Sequence, residues 1–180
     1  MLIATQILIS IHRWDVTAFH RVLQAHRSKT IVRCAHWFSK SADGWLYPLV
    51  PILLYALSYD QTAVFTATLL LALCMERVLY LMAKKGFKRK RPANILADFR
   101  SLVIASDEFS FPSGHTSAAF LIVTTLVLIV SPAFVFGYLW AIGVGCSRVI
   151  LGVHFPTDTL VGALLGSSVA AISLSYILVQ

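Results

Sequence analysis

The chain has 180 residues, 58% of them hydrophobic and only 13% charged, with a mean hydropathy of +0.78. That charge content is about half the ~25% of soluble domains, so the composition excludes a soluble globular protein and points to a single polytopic membrane domain. The net charge is +7, and its basic residues are bunched, six in residues 13–40 and six in residues 84–91.

Residues 1–11 are apolar but carry no basic residue ahead of them, so no cleavable signal is expected there. Next, apolar residues recur at helical spacing: Trp14, Ala18, Phe19, Val22 and Leu23, then Ile31, Ala35 and Phe38. Basic residues and His12, His20, His26 and His36 fill the other faces. This pattern predicts one or two amphipathic helices on the membrane surface. The histidines lack metal-site spacing and read as interfacial polar groups.

A spanning helix needs ~20 mostly apolar residues. Five segments qualify or nearly so: 44–59, with Trp45, Tyr47 and Tyr59 as interfacial anchors, then 62–83, 113–130, 133–153 and 157–179. The expected fold is all-α. Interfacial helices in residues 1–43 precede a core of about five transmembrane helices in residues 44–180. Cys34, Cys74 and Cys146 are odd in number and far apart, so no disulfide framework or cysteine metal motif follows.

The joins at 58–61 and 131–132 are tight turns, which forces their flanking helices to run antiparallel. With helices alternating, three separate polar stretches then meet on one face of the membrane. They are "KKGFKRKRP" from Lys84, "FPSGHTS" from Phe111 and "SRVILGVHFPTD" from Ser147.

Pro112 suits the first position of a helix, and Gly114 permits close backbone approach. The amides of Ser113, Gly114 and His115 are then expected to face outward as an anion site. Lys84, Arg91 and Arg148 supply fixed positive charge, and guanidinium groups grip phosphate oxygens in pairs. Asp158 lies four residues after His154, close enough to hold one ring nitrogen and aim the other. A neutral, oriented imidazole is a competent nucleophile toward phosphorus. His115 is then available as general acid for the leaving oxygen. The local chemistry favours transfer of a phosphoryl group.

These residues resemble the type 2 phosphatidic acid phosphatases, or lipid phosphate phosphatases. The family signature is Lys, six residues, Arg-Pro; Pro-Ser-Gly-His; and Ser-Arg, five residues, His, three residues, Asp. Lys84 with Arg91–Pro92, Pro112–His115, and Ser147–Arg148 with His154 and Asp158 match every position. The resemblance covers about residues 44–180; many members have six spanning helices, and in having five after surface helices this chain looks similar to small bacterial isoprenoid diphosphate phosphatases. It implies a phosphohistidine at His154, orientation by Asp158, and protonation of the leaving group by His115. Phosphate binding would fall to Lys84, Arg91, Ser113, Gly114 and Arg148. It also implies a metal-free reaction with no cofactor, a lipid phosphate or diphosphate as substrate, and no nucleic acid partner. Candidate substrates include undecaprenyl diphosphate, phosphatidate and phosphatidylglycerol phosphate.

Other readings compete. A metal hydrolase using His115, His154 and Asp158 as ligands is opposed by the three cations, which repel a divalent ion. A non-enzymatic phospholipid-binding or flipping protein needs the anion clamp but not the His154–Asp158 pair. Lys85, Lys88, Arg89 and Lys90 read as headgroup-facing positives, Asp107 and Glu108 as solvated, and the Glu76–Arg77 pair as structural. The positive-inside rule assigns the basic face to the cytoplasm. The resemblance instead implies the periplasmic face of a bacterial inner membrane, and that placement is the one expected.

Overall fold

The computed structural model describes residues 2–24, 28–96, 99–105 and 107–180. His26 therefore lies outside the described residues. Among the described residues eight α-helices run in chain order: α1 Leu2–Leu23, α2 Lys29–Ser41, α3 Leu49–Ala56, α4 Thr62–Phe87, α5 Pro92–Ile95, α6 Gly114–Thr125, α7 Gly137–Ile150 and α8 Pro156–Val179. A π-helical turn, Leu126–Val130, extends α6, and a 3-10 turn, Pro132–Phe136, leads into α7.

Four apolar helices, α4, α6 with its π-helical extension, α7 with its 3-10 lead, and α8, form the bundle. Phe65, Leu69, Ala72, Leu121, Ile122, Ala141, Val144 and Val169 fill its interior. Its outer faces are apolar as well: Leu70, Leu139, Leu164 and Ile172 are each more than half exposed. Apolar residues on both the inner and outer faces of a helix fit a bundle solvated by lipid. Three of these helices are long and apolar enough to span, and α6 with its extension is the shorter fourth.

The segment expected at residues 44–59 is helical only over Leu49–Ala56, about 12 Å of rise against a hydrocarbon core of ~30 Å. Pro48 precedes the helix and Pro51 occupies its first turn, where a missing N–H breaks no bond. The chain turns through residues 45–48 before helix begins. It therefore supplies the four apolar helices of the bundle and a short one.

The predicted turns do share an end. The Tyr59 hydroxyl, beside the 58–61 turn, donates to the Ile129 carbonyl at 2.8 Å, just before the 131–132 turn. Two glycines set the tightest helix contact. A Cβ on Gly162 would lie 2.6 Å from the Ser113 carbonyl oxygen, and one on Gly166 would lie 2.0 Å from that of Ser117. With no side chain there, α8 presses directly on the α6 backbone and brings the two helix N-termini together.

The N-terminal helices are not a separate body at residue 43. Phe19 of α1 is fully buried against the rings of Phe155 and Phe99. Ala35 and Ser39 of α2 are buried too, and Ala42 joins the main core. The outer face of α2 still presents Trp37, which is 69% exposed.

Candidate active site

His154 sits in the short connection between α7 and α8, 3% exposed. Gly152 makes that connection possible: its φ is +80°, and a Cβ would strike the Phe99 ring at 2.3 Å. Asp158, fully buried, occupies the third position of α8 and accepts the Phe155 N–H at 2.8 Å through Oδ2. This is half of a capping box, and it fixes the carboxylate at the helix entrance. The same oxygen lies 3.7 Å from His154 Nδ1. Burial drives the His154 pKa down to about 4, against the opposing pull of Asp158, and the charges of Arg91 and Arg148 push it further down. The imidazole is therefore neutral at physiological pH.

The cations converge on this connection. Arg91, just ahead of α5, donates from NH1 to the Val153 carbonyl at 2.6 Å. Arg148, near the end of α7, is 7% exposed and donates to Ser39 Oγ of α2, while its Nε has no hydrogen-bond partner among the described residues. Lys84, in the last turn of α4, is 5% exposed.

Asp107 was expected to be solvated, but its carboxylate joins the clamp. It lies 2.7 Å from Lys84 Nζ, bonds to Arg91, and accepts the Tyr80 hydroxyl at 2.5 Å. Burial alone would raise its pKa. The hydrogen bonds from Lys84 and Tyr80 and the nearby positive charges outweigh burial and hold it at about 2.

The α6 N-terminus only partly matches its expected form. The Ser113 N–H is taken by the Asp158 carbonyl at 2.9 Å, and its hydroxyl pairs with Thr116 at 3.0 Å. Ser113 thus stitches α6 to α8, and its amide is not free to point outward. Gly114 makes a close approach, but to a side chain: a Cβ there would meet the Tyr80 ring at 2.9 Å. His115 Nε2 is 3.0 Å from Asp43 Oδ1.

Two cavities meet at His115 and Asp43. One, of about 460 Å³, runs between α3, α4 and α6 past Leu69, Leu73 and Ala118. Glu76 and Arg77 also line it, with the Arg77 guanidinium over the Tyr80 ring at 5.4 Å. The other, of about 450 Å³, is more polar and is lined by Ser39, Lys40 and Arg148.

Sequence reasoning missed Asp43, Ser39, Asp15 and the partners of Arg89. Arg89 does not face headgroups: it donates to Asp158 Oδ1 at 2.7 Å and to Asp15 of α1. One signal was available. The chain has only eight carboxylates, and every buried guanidinium needs a counter-charge.

The sequence model of the PAP2 superfamily matches residues 65–179. The chain is 32% identical over 138 residues to the undecaprenyl-diphosphatase of Sulfolobus acidocaldarius, covering 74% of this chain and 65% of the relative. It is 32% identical over 136 residues to phosphatidylglycerophosphatase B of Bacillus subtilis, covering 69% and 64%. The match thus spans just under two thirds of the length of these relatives. The fold is similar to that of LpxE from Aquifex aeolicus, with a TM-score of 0.77, 31% identity, and 89% and 94% of the two chains covered. It is also similar to a transmembrane phosphatidylglycerolphosphate phosphatase from Bacillus subtilis, with a TM-score of 0.73, 26% identity, and coverage of 93% and 86%.

Proposed function

The chain belongs to the PAP2 superfamily, and on that footing we propose that it is a membrane phosphatase acting on a lipid phosphate or diphosphate. The observation that carries this reading is the junction of three buried cations, Lys84, Arg91 and Arg148, with the His154–Asp158 pair at one end of an apolar bundle. The phosphatase names of its relatives support it.

In this mechanism the terminal phosphate replaces the Asp107 carboxylate on Lys84 and Arg91 and reaches Arg148. Nδ1 of His154 faces Asp158, so Nε2 is the attacking nitrogen. The N–P bond forms as the P–O bond to the leaving group breaks. The cations hold the charge spread over the transferring oxygens. His115, held by Asp43, gives its proton to the leaving oxygen. A water then attacks the phosphohistidine, His115 takes a proton from it, and inorganic phosphate and free His154 result. No step calls for a metal ion. Ser113 and Gly114 serve by shaping the α6 N-terminus around the phosphate, with the His115 amide as the nearer donor.

The cavity between α3, α4 and α6 takes the first part of the lipid tail. The substrate we favour is an isoprenoid diphosphate such as undecaprenyl diphosphate, ahead of phosphatidate and phosphatidylglycerol phosphate. The site is assigned to the periplasmic face of a bacterial inner membrane. Labelling of single cysteines in residues 85–96 tests this: reaction only after permeabilisation overturns it.

The deciding assay is phosphate release by purified protein in detergent with chelator present, offered the three lipids side by side. Release that disappears in His154→Ala supports the reading. No release from any lipid by folded protein overturns it.

A further inference from the structure

The mechanism above gives no part to α1 or to Arg89, yet the two are bound into the site by a buried charge network. Arg89 follows the end of α4, where Lys88 adopts the left-handed conformation at φ 47°. Its backbone is pinned there, because the Arg89 carbonyl accepts the Ser110 N–H at 2.8 Å. Its guanidinium lies over the Phe155 ring, 4.5 Å from the centroid. One nitrogen, NH1, donates to Asp158 Oδ1 at 2.7 Å and to Thr157 Oγ1 at 2.8 Å. The other, NH2, donates to Asp15 Oδ2 at 2.5 Å.

Asp15 is a fully buried carboxylate on the N-terminal helix. It also accepts the Thr157 N–H at 3.0 Å through Oδ1, and the Thr157 hydroxyl through Oδ2. It therefore caps α8 from another helix, at the positive end of the α8 dipole. A buried carboxylate costs stability unless fully paired, and here its bonds go to Arg89, which holds Asp158, and to Thr157, the residue before Asp158.

We propose that Asp15 and Arg89 are positioning residues for His154: Arg89 fixes the Asp158 carboxylate, and Asp15 restores the negative charge that Arg89 would otherwise cancel. The inference rests on the function proposed above. Asp158 and Arg89 alone sum to zero. Adding Asp15 gives a net charge of −1 behind the imidazole. That charge is needed when His154 bonds to phosphorus and its ring becomes positive. The charges of Arg91 and Arg148 act on His154 as well and oppose the same build-up. An Arg-bound Asp158 with no second carboxylate would leave no net negative charge behind the ring to offset Arg91 and Arg148.

The charge count makes a test that a mere structural staple fails. Asp15→Asn brings the cluster to 0, Arg89→Gln to −2, and the double variant back to −1. kcat and KM for phosphate release are measured for wild type and all three, with detergent melting temperatures as the folding check. Asp15→Asn is expected to lower kcat about tenfold or more, with KM within about twofold, as for other groups that orient a reacting ligand. The double variant is expected to be several times faster than Asp15→Asn, because the charge returns even though the hydrogen bonds do not. A double variant no faster than Asp15→Asn, or single variants within twofold of wild type, overturns the inference alone. A wild-type protein that releases no phosphate overturns the functional reading, and this inference with it. Should Asp15→Asn not fold, Arg89→Gln decides by 15N NMR of labelled histidine: His154 should titrate higher than in wild type, because the cluster behind it gains negative charge, and an unmoved titration overturns the inference.

Discussion

Asp107 and Lys84 form an ion pair at 2.7 Å in the middle of the clamp that is to receive a phosphate. The same carboxylate bonds Arg91 and Tyr80. It is an anion held where the substrate anion must go, so it competes with phosphate and partly offsets two buried cations in its absence. Asp107→Asn removes the competitor and leaves the cations undercompensated, and both effects favour an incoming anion. Inorganic phosphate should inhibit the variant at concentrations about three- to tenfold lower than wild type. Weaker inhibition would show that Asp107 orders the clamp instead of occupying it.

The reacting form of His154 is the neutral ring, which is lost as pH falls through its pKa. Burial places that pKa at about 4, against about 6.5 for a free imidazole. The acid limb of phosphohistidine formation in single-turnover experiments should therefore have its midpoint near pH 4, after correction for the ionisation of the substrate. A midpoint near 6.5 would contradict the buried, neutral nucleophile.

The α6–α8 contact leaves no room for a methyl group. A Cβ on Gly166 would sit 2.0 Å from the Ser117 carbonyl oxygen, so Gly166→Ala must part the two helices. The expected loss is at least the 1–3 kcal/mol of an overpacked core, seen as a lower melting temperature in detergent. Activity should fall as well, because Ser113 and Asp158 are bonded across that contact. Gly86, whose added Cβ meets nothing within 4 Å, is the control: Gly86→Ala should leave stability within about 0.5 kcal/mol.

Leu73 lines the cavity assigned to the lipid tail. Leu73→Trp should raise KM for a long-tailed substrate about tenfold and leave a short-chain phosphate within twofold, since the clamp residues are untouched. Equal effects on both would move the tail elsewhere.

The long helices were legible because apolar length is a direct property of sequence. Expected and observed limits of α4 and α8 differ by a few residues at most: 62–83 against Thr62–Phe87, and 157–179 against Pro156–Val179. The α3 region was read as a span because an apolar run between aromatic anchors looks alike whether it crosses the layer or turns back. Pro48 and Pro51, three apart, were the clue to its shortness. That the three polar stretches meet at one end followed from counting turns. What no count could supply was pairing. Lys84, Arg89 and Arg91 sit in one basic run, yet they hold different carboxylates, Asp107 for two of them and Asp158 with Asp15 for the third. Linear spacing carries no record of which loop folds over which cation. Asp15 was hidden for the same reason, 142 positions before its partner Thr157 and on a helix read as peripheral.

The short α3 leaves one side of the bundle low. Beside it, the cavity that runs to His115 is bounded by Leu70, a residue 59% exposed on the outer face of α4. On the function proposed above, a lipid tail enters by a mouth beside Leu70, from the side of the bundle and so from the bilayer. A molecule using that mouth never leaves the plane of the membrane, so the protein meets its substrate in two dimensions. The quantity that governs its rate is then the mole fraction of substrate among the surrounding lipids. Diluting the suspension with buffer should change nothing, whereas diluting the vesicles with inert lipid should slow turnover in proportion.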